Sequence, residues 1–400
     1  MRERNGTRAA SKILGATALA GLALCCFMGA ARAQLLVVGH DEKRGYDASG
    51  KMIELGPGKD SVSIIDIRNR VEPHIIGTLP IKNSIHGPPT NLAITPDDRL
   101  VLVANSVDSV AAGNGWKDVP DNEVFLIDPA ANPPKLVGTV TVGRQPSGMA
   151  IDRGGNLALI ADRADDAVSV LSVNGKAKSA TLVATVPLAI ANADPTAVAI
   201  TPDGKRALVT LTRANQVALL SIAGGKVTDT GYAMTTGIFP YNVQITPDGK
   251  LGLVNNQGSG ASDGQADTVS VIDLQPNPPR VIDQIMVGDG PEGLAISPVG
   301  GYAASLLLNG TGSPKSAFYH HDHSIVALLR IEGKKVRKVG ETAVSGSAEG
   351  IAFSPDGRFL YVGSYSNGTI AIFKLQGAKL LPVGSLKLPG HPASLRGITP

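Results

Sequence analysis

Two cysteines occur in the 400-residue chain, Cys25 and Cys26, and both fall within the first 33 residues. Everything after them lacks disulfides, reactive thiols and cysteine metal ligands, so packing alone must hold the fold together. Aromatic residues make up 4% of the chain, and no stretch beyond residue 33 shows helical periodicity. Neither sign of charge prevails, since 32 basic residues face 33 acidic ones after residue 33. A protein that displaces counterions from phosphates needs a basic stripe, and the absence of one argues against nucleic-acid binding. Glycine and proline are abundant instead, at 47 and 27 residues, which points to many short strands joined by tight turns.

The first 33 residues read as a separate element. A basic head (Arg2, Arg4, Arg8, Lys12) precedes the apolar run ILGATALAGLALCCFMGAA and the small-residue end Ala31–Arg32–Ala33. This is the pattern of a secretory signal, with cleavage expected after Ala33, a mature start at Gln34 and a periplasmic or secreted product. A retained membrane anchor is the alternative. A lipoprotein anchor fits less well, because bulky Leu24 precedes Cys25.

One phrase then recurs. AVAITPDGKRALVT from residue 197 has counterparts beginning at Asn91, Gly148, Asn242, Gly293 and Gly350, and a seventh, SLRGITP, at Ser394. The equivalent apolar positions are Ile94, Ile151, Ile200, Ile245, Ile296, Phe353 and Ile398. A period of about 50 residues signals a radial or solenoid array. Each unit offers two strands around a Pro-Asp-Gly turn, then a third such as DTVSVID from Asp267 and a fourth such as RVIDQIMVG from Arg280. Four antiparallel strands per unit make one propeller blade. The seventh unit has only its first strand, and LLVVGH, DSVSIID and HIIGTLPI near the mature N-terminus supply the other three. The expectation is a single all-β domain over residues 34–400, a monomeric seven-bladed propeller whose last blade joins both ends of the chain and leaves no open edge.

With PxGhAhSPDGxxhYVxN followed by VSVID, and AEGIAFSPDGRFLYVGSYSNGTIAIF from Ala348 as the fullest copy, the repeat resembles the YVTN-repeat β-propellers. That superfamily also holds lactonase-like propellers and amine dehydrogenase heavy chains. The resemblance spans residues 34–400 and implies the fold. Its matching residues are turns and core, so it assigns no activity.

In such a propeller, connections from second to third strands share a face with those entering each first strand. The long insertions, after His40, Asn105, Gln257 and Leu308, all join second strands to third, so one face is decorated as a binding surface would be. Residues entering the first strands line its central mouth, among them His86, Asn91, Arg144, Asp194, Tyr241, Asn242, Glu292, Glu349 and His391. Glu292 and Glu349 on adjacent blades, with an arginine and histidines opposite, could bind or polarise a polar small molecule. Trp116, the only tryptophan, is read as part of a long polar loop on the same face.

The metal candidates are His321 and His323 in Tyr-His-His-Asp-His, with Asp322 between them, and a second group of His40, His86 and His391 on the closing blade and its neighbour. No third ligand stands at a fixed helical or hairpin offset from His321 and His323. Two other matches fail on context. GDGPEG at Gly288 joins two strands, with no helix to receive a pyrophosphate, and GASDG at Gly260 lies in a glycine-rich loop rather than a strand-turn-helix elbow. The expected function is binding of a small polar ligand or another exported protein. The alternatives are a lactonase-like hydrolase or isomerase using Glu292, Glu349 and a mouth histidine, and the propeller subunit of a redox complex. The residues point to no particular cofactor.

Overall fold

The structure, a computed structural model, describes residues 34–50 and 52–397. Seven four-stranded antiparallel sheets follow one another around a central channel, with one two-stranded hairpin in addition. The innermost strands touch in a closed cycle, from Leu92–Ile94 through Pro146–Ile151, Pro195–Ile200, Pro240–Ile245, Pro291–Ile296 and Ala348–Phe353 to Pro392–Arg396 and back. Blades 1 to 6 are each made of consecutive strands. The seventh is ordered Pro392–Arg396, Leu35–His40, Ser61–Asp66, His74–Leu79. Both ends of the domain therefore lie in the closing blade, as expected. The proposed signal segment, residues 1–33, lies outside the described residues. Among the described residues, no helix is long and apolar enough to cross a membrane.

The recurrent phrase has a physical explanation. In blade 3, Thr201 Oγ1 donates to Asp203 Oδ1 at 2.6 Å, and the amides of Lys205 and Arg206 return to Asp203 and Thr201 at 3.1 and 3.0 Å. Gly204 closes the turn with φ of 67°, a conformation that costs glycine little. Thr95–Asp97 and Thr246–Asp248 repeat the hydroxyl–carboxylate bond at 2.6 and 2.7 Å. The apolar flanks supply the core. Among the described residues, the buried hydrophobic side chains form seven clusters, each between two adjacent blades. Every blade is thus glued on both sides, and no disulfide is needed.

Two expectations change. The insertion after Asn105 is not a loop. The second and third strands of blade 1 simply continue, as Val101–Ala112 and Gly115–Asp128, into a hairpin that pairs Ala111 with Trp116. The closing strand also begins earlier than the repeat spacing indicates. Leu395 pairs with Val38 as Ile351 pairs with Val362, which puts Gly397 where Phe353 stands in blade 6. Ile398, read as that counterpart from spacing, lies outside the described residues.

Candidate functional site at the upper mouth

The face carrying the second-to-third-strand connections is called upper here. Chain crossings on it are held by one repeated bond. In six of the seven blades the amide after the second strand donates to the residue just before the first strand: Arg163 to Gln145, Thr212 to Asp194, Gln257 to Phe239, Leu308 to Gly290, Tyr365 to Ser347 and Asp41 to His391. Gln145, Asp194 and Phe239 adopt φ between 54° and 58° to make this approach. Two side-chain positions per blade are thereby fixed beside the channel, and the substitutions at them build the site.

In blades 2 and 3 they form an ion pair. Arg163 Nε and Nη2 donate to Asp194 Oδ1 and Oδ2 at 2.8 and 2.9 Å, a bidentate geometry. Burial works against the Arg163 charge, and Asp194 and the neighbouring Tyr241 more than offset it. Tyr241 stands on the inner strand of blade 4, where burial and then the charge of Glu292 push its hydroxyl well above the usual phenol range.

In blades 5 and 6 the corresponding inner-strand residues are Glu292 and Glu349, 6% and 4% exposed. Burial raises both carboxyls, and the charge of Glu292 raises Glu349 further. The two carboxyls act on each other across the blade interface, and among the described residues Glu349 Oε2 is buried without a hydrogen-bond partner. Two coupled buried carboxyls of this kind retain protons to a higher pH than free glutamates do.

The insertion after His40 crosses this mouth as a strap containing the hairpin Arg44–Tyr46 and Met52–Glu54. On one side Lys315 donates its amide to Ser49 at 2.9 Å. On the other, the Trp116 ring lies on Gly56, where a Cβ would come within 2.7 Å of it. Beneath the strap, Tyr365 Oη donates to the carbonyls of Asp41 and Arg44 at 3.0 and 3.2 Å. Tyr46 meets Tyr365 edge-on at 6.3 Å. Burial, together with Glu349 and Glu292, pushes its phenol up to about 12. Beside Tyr46 opens a cleft of about 310 Å³, walled by Lys315, His320, His321, Ser347 and Asn367, a volume that admits a small molecule.

The sequence-derived candidates divide accordingly. Glu292, Glu349 and Tyr241 come together at the mouth. Asn242 is buried there too, but its amide spans to the Glu292 carbonyl at 3.3 Å. It therefore positions blade 5, much as Asn91 ties to Asn83 and Ala104 in blade 1. Arg144 does not line the mouth. It is 64% exposed and paired with Asp165 at 2.7 Å, and Arg163 is the mouth arginine instead. His86 contacts Arg44 and Asp118 at the rim, and His391 Nδ1 binds Glu42 at 2.8 Å.

The metal candidates fare differently. His40 is fully buried, with Nε2 2.9 Å from Ser63 Oγ, in the slot where Asn256 meets Ser270 and Asp162 meets Ser169 in other blades. It is a blade residue, neutral because burial pushes it down to about 4. The rings of His321 and His323 lie 5.9 Å apart, but Asp322 turns to His320 at 3.3 Å rather than to either. Among the described residues, no three His, Cys, Asp or Glu side chains are placed to hold a metal ion.

Sequence reading missed Arg163, Tyr46, Arg44 and Tyr365. Arg163 and Tyr365 were findable, because each directly follows a second strand. Tyr46 and Arg44 sit in an insertion with no repeat counterpart to align.

With this geometry in view, residues 174–264 match the model described as "Lactonase, 7-bladed beta-propeller". Residues 317–387 match that of the anaphase-promoting complex subunit 4 WD40 domain. Similar solved structures include a putative 6-phosphogluconolactonase from Bacteroides uniformis (TM-score 0.68, 16% identity, 92% of this chain and 100% of that one). The periplasmic gluconolactonase of Pseudomonas aeruginosa is similar too (0.64, 17%, 92% and 99%). So is Kuenenia stuttgartiensis hydrazine synthase (0.59, 20%, 78% and 90%). The chain has the fold of the lactonase-like seven-bladed propellers. Among curated proteins none matches it. At these identities the likeness speaks for the fold, and the chemistry must come from this propeller's own mouth.

Proposed function

We propose that this propeller is an acid–base hydrolase for a small polar ring ester, of the sugar-lactone class, working at the upper mouth. The observation that carries the reading is the burial of two carboxyls, Glu292 and Glu349, at equivalent inner-strand positions of adjacent blades, where burial raises both. One fold position thereby supplies a base and an acid at the same pH. Glu292 takes a proton from a water as that water attacks the ester carbonyl. Glu349 gives its proton to the ring oxygen as the carbonyl–oxygen bond breaks. The product is a hydroxy acid, and the dyad is restored when the proton passes back from Glu292 to Glu349. Tyr46, Tyr241 and the Arg163–Asp194 pair would orient the ring and the developing oxyanion, and the cleft beside Tyr46 would admit it.

A lactone panel assayed with purified protein tests this. Turnover that disappears in Glu349→Gln supports it. Binding of a lactone or its hydroxy acid without turnover by the wild type leaves the second reading, a binding scaffold for a small polar ligand or an exported partner. The decorated face supports that reading. A role as the propeller of a redox complex has its support in structural likeness to hydrazine synthase.

Export is part of the proposal. It rests on the basic head, apolar run and Ala31–Arg32–Ala33 of the leader, and the secreted protein should begin at Gln34. A single closed ring should run as a monomer in size-exclusion chromatography.

A further inference from the structure

The lower end of the channel differs from the upper. At the fifth position of the innermost strands, five blades carry alanine, Ala295 and Ala352 among them. Only two carry long polar side chains, Gln244 in blade 4 and Arg396 in the closing blade. Both border a cavity of about 40 Å³ whose other walls are Ile296, Pro298, Phe353 and Gly397. Arg396 is 8% exposed. Among the described residues, no carboxylate pairs with it and no hydrogen-bond acceptor meets its guanidinium. An arginine keeps its charge when buried, and a buried charge without a partner is costly enough that folded proteins supply one.

We propose that this pocket binds one small anion, a halide or the carboxylate head of a small acid, between the Arg396 guanidinium and the Gln244 amide. The space suffices for it, since the pocket admits at least one water-sized particle. The ring of alanines provides the room, because any longer side chain at those positions would occupy it. Burial alone, unopposed by any nearby carboxylate, lowers Arg396 to about 10, consistent with a missing counter-charge. This site lies at the opposite end of the channel from the carboxyl pair and does not depend on the reading given for that pair.

Thermal unfolding of the full chain in chloride or formate, against methanesulfonate at equal ionic strength, tests the site. A saturable rise in Tm of about 2–4 °C is expected for the small anions. The rise should vanish in Arg396→Gln and need several-fold more anion in Gln244→Leu. The chloride and formate arms separate a halide site from a carboxylate site. Crystals soaked in bromide should show anomalous density beside the guanidinium, which decides the matter should Arg396→Gln fail to fold. Equal shifts in wild type and Arg396→Gln, no anion-specific shift at all, or an empty bromide map where chloride had raised Tm would overturn the proposal. So would a shift that emerges only after residues 398–400 are removed, because the chain's own end would then be the occupant.

Discussion

Blade 3 and blades 5 and 6 use the same inner-strand position for opposite purposes. In blade 3 that position is Thr196. Its Oγ1 bonds to Thr210 and Thr212 at 2.8 Å each and to the Tyr241 carbonyl at 2.9 Å, so the blade satisfies its own polar group. In blades 5 and 6 the position holds Glu292 and Glu349, and the residues after the second strands are Leu308 and Tyr365. No hydroxyl of their own blades answers these carboxyls, and each turns to the other across the blade interface. A repeat that satisfies this position within blade 3 and places facing carboxyls there on two adjacent blades marks where something other than stability is being served.

The largest expected effect follows from breaking the unsolved position. Glu349→Gln keeps a donor toward Glu292 but removes the transferable proton, and turnover should fall by about 100-fold or more. Stability should move the other way. The folded pair retains its proton to a pH above that at which glutamates ionise in the unfolded chain. The wild type therefore loses stability as pH rises toward and past neutrality. Glu349→Gln should melt higher than wild type at pH 8 and converge with it below pH 5; a parallel pair of pH–Tm curves would contradict the retained proton. The mirror experiment is Thr196→Val, which removes one hydrogen bond each from Thr210 and Thr212 and the donor to the Tyr241 carbonyl. A loss of about 1–3 kcal/mol in denaturant unfolding is expected, with kcat/KM unchanged.

A smaller pair of effects separates two buried groups of like position and opposite sign. His40 is neutral in the fold because burial pushes it down to about 4. Its contribution is complete above about pH 6.5, where the unfolded imidazole also loses its proton, and is lost as pH falls from there toward 4. The size is about 3 kcal/mol. Asp162, in the corresponding slot of blade 2, is pushed up to about 7 by burial. Its carboxyl stays protonated in the fold where the unfolded one ionises, so it costs stability as pH rises from about 4 to 7. In the wild type these slopes oppose. His40→Asn, which installs the side chain found at Asn256, should remove the acid loss and leave stability rising toward pH 4. Asp162→Asn should steepen the acid loss. Urea midpoints between pH 4 and 8 read both.

How much of this was legible before the fold is a matter of which residues repeat. The turn around Thr201–Asp203–Gly204 recurs with small variations because each lower corner needs a polar side chain to hold the turn amides and a residue that accepts a left-handed backbone, so the blade count and the closing arrangement could be read directly. Glu292 and Glu349 could be read as mouth residues because they stand at a fixed distance before the turn. Arg144 misled because it follows a fourth strand, where the chain is still on the rim, whereas the amide of Arg163 is locked against the channel by Gln145. His40 misled because a histidine was given metal chemistry where the blade required only something to meet Ser63. Tyr46 and Arg44 had no counterpart in any other unit, and only the folded strap brings them to the mouth. The hairpin around Trp116 was taken for a loop because its residues are polar. Its pairing comes from continuation of two strands already in register rather than from apolar alternation.

The smallest effect probes the strap itself. Trp116 is 41% exposed, yet one edge of its ring rests on Gly56 of the strap, and no other tryptophan competes with its emission. Gly56→Ala puts a methyl group where the ring now lies, and the hairpin or the strap must yield by a few tenths of an ångström or more. Neither element belongs to an inter-blade cluster, so Tm should stay within about 1 °C of wild type, as is usual for surface substitutions. Trp116 emission should shift to longer wavelength as the ring moves into water. If the strap covers the carboxyl pair as its contacts with Tyr365 and Lys315 imply, loosening it alters entry more than chemistry. KM or ligand affinity should then change by several-fold while kcat holds. Binding at the mouth should also move the emission of the unmodified protein, because the strap joins the two places. A ligand that binds and is turned over with Trp116 emission unchanged, in wild type and in Gly56→Ala alike, would separate the strap from the site and leave it as a structural brace between blades 5 and 1.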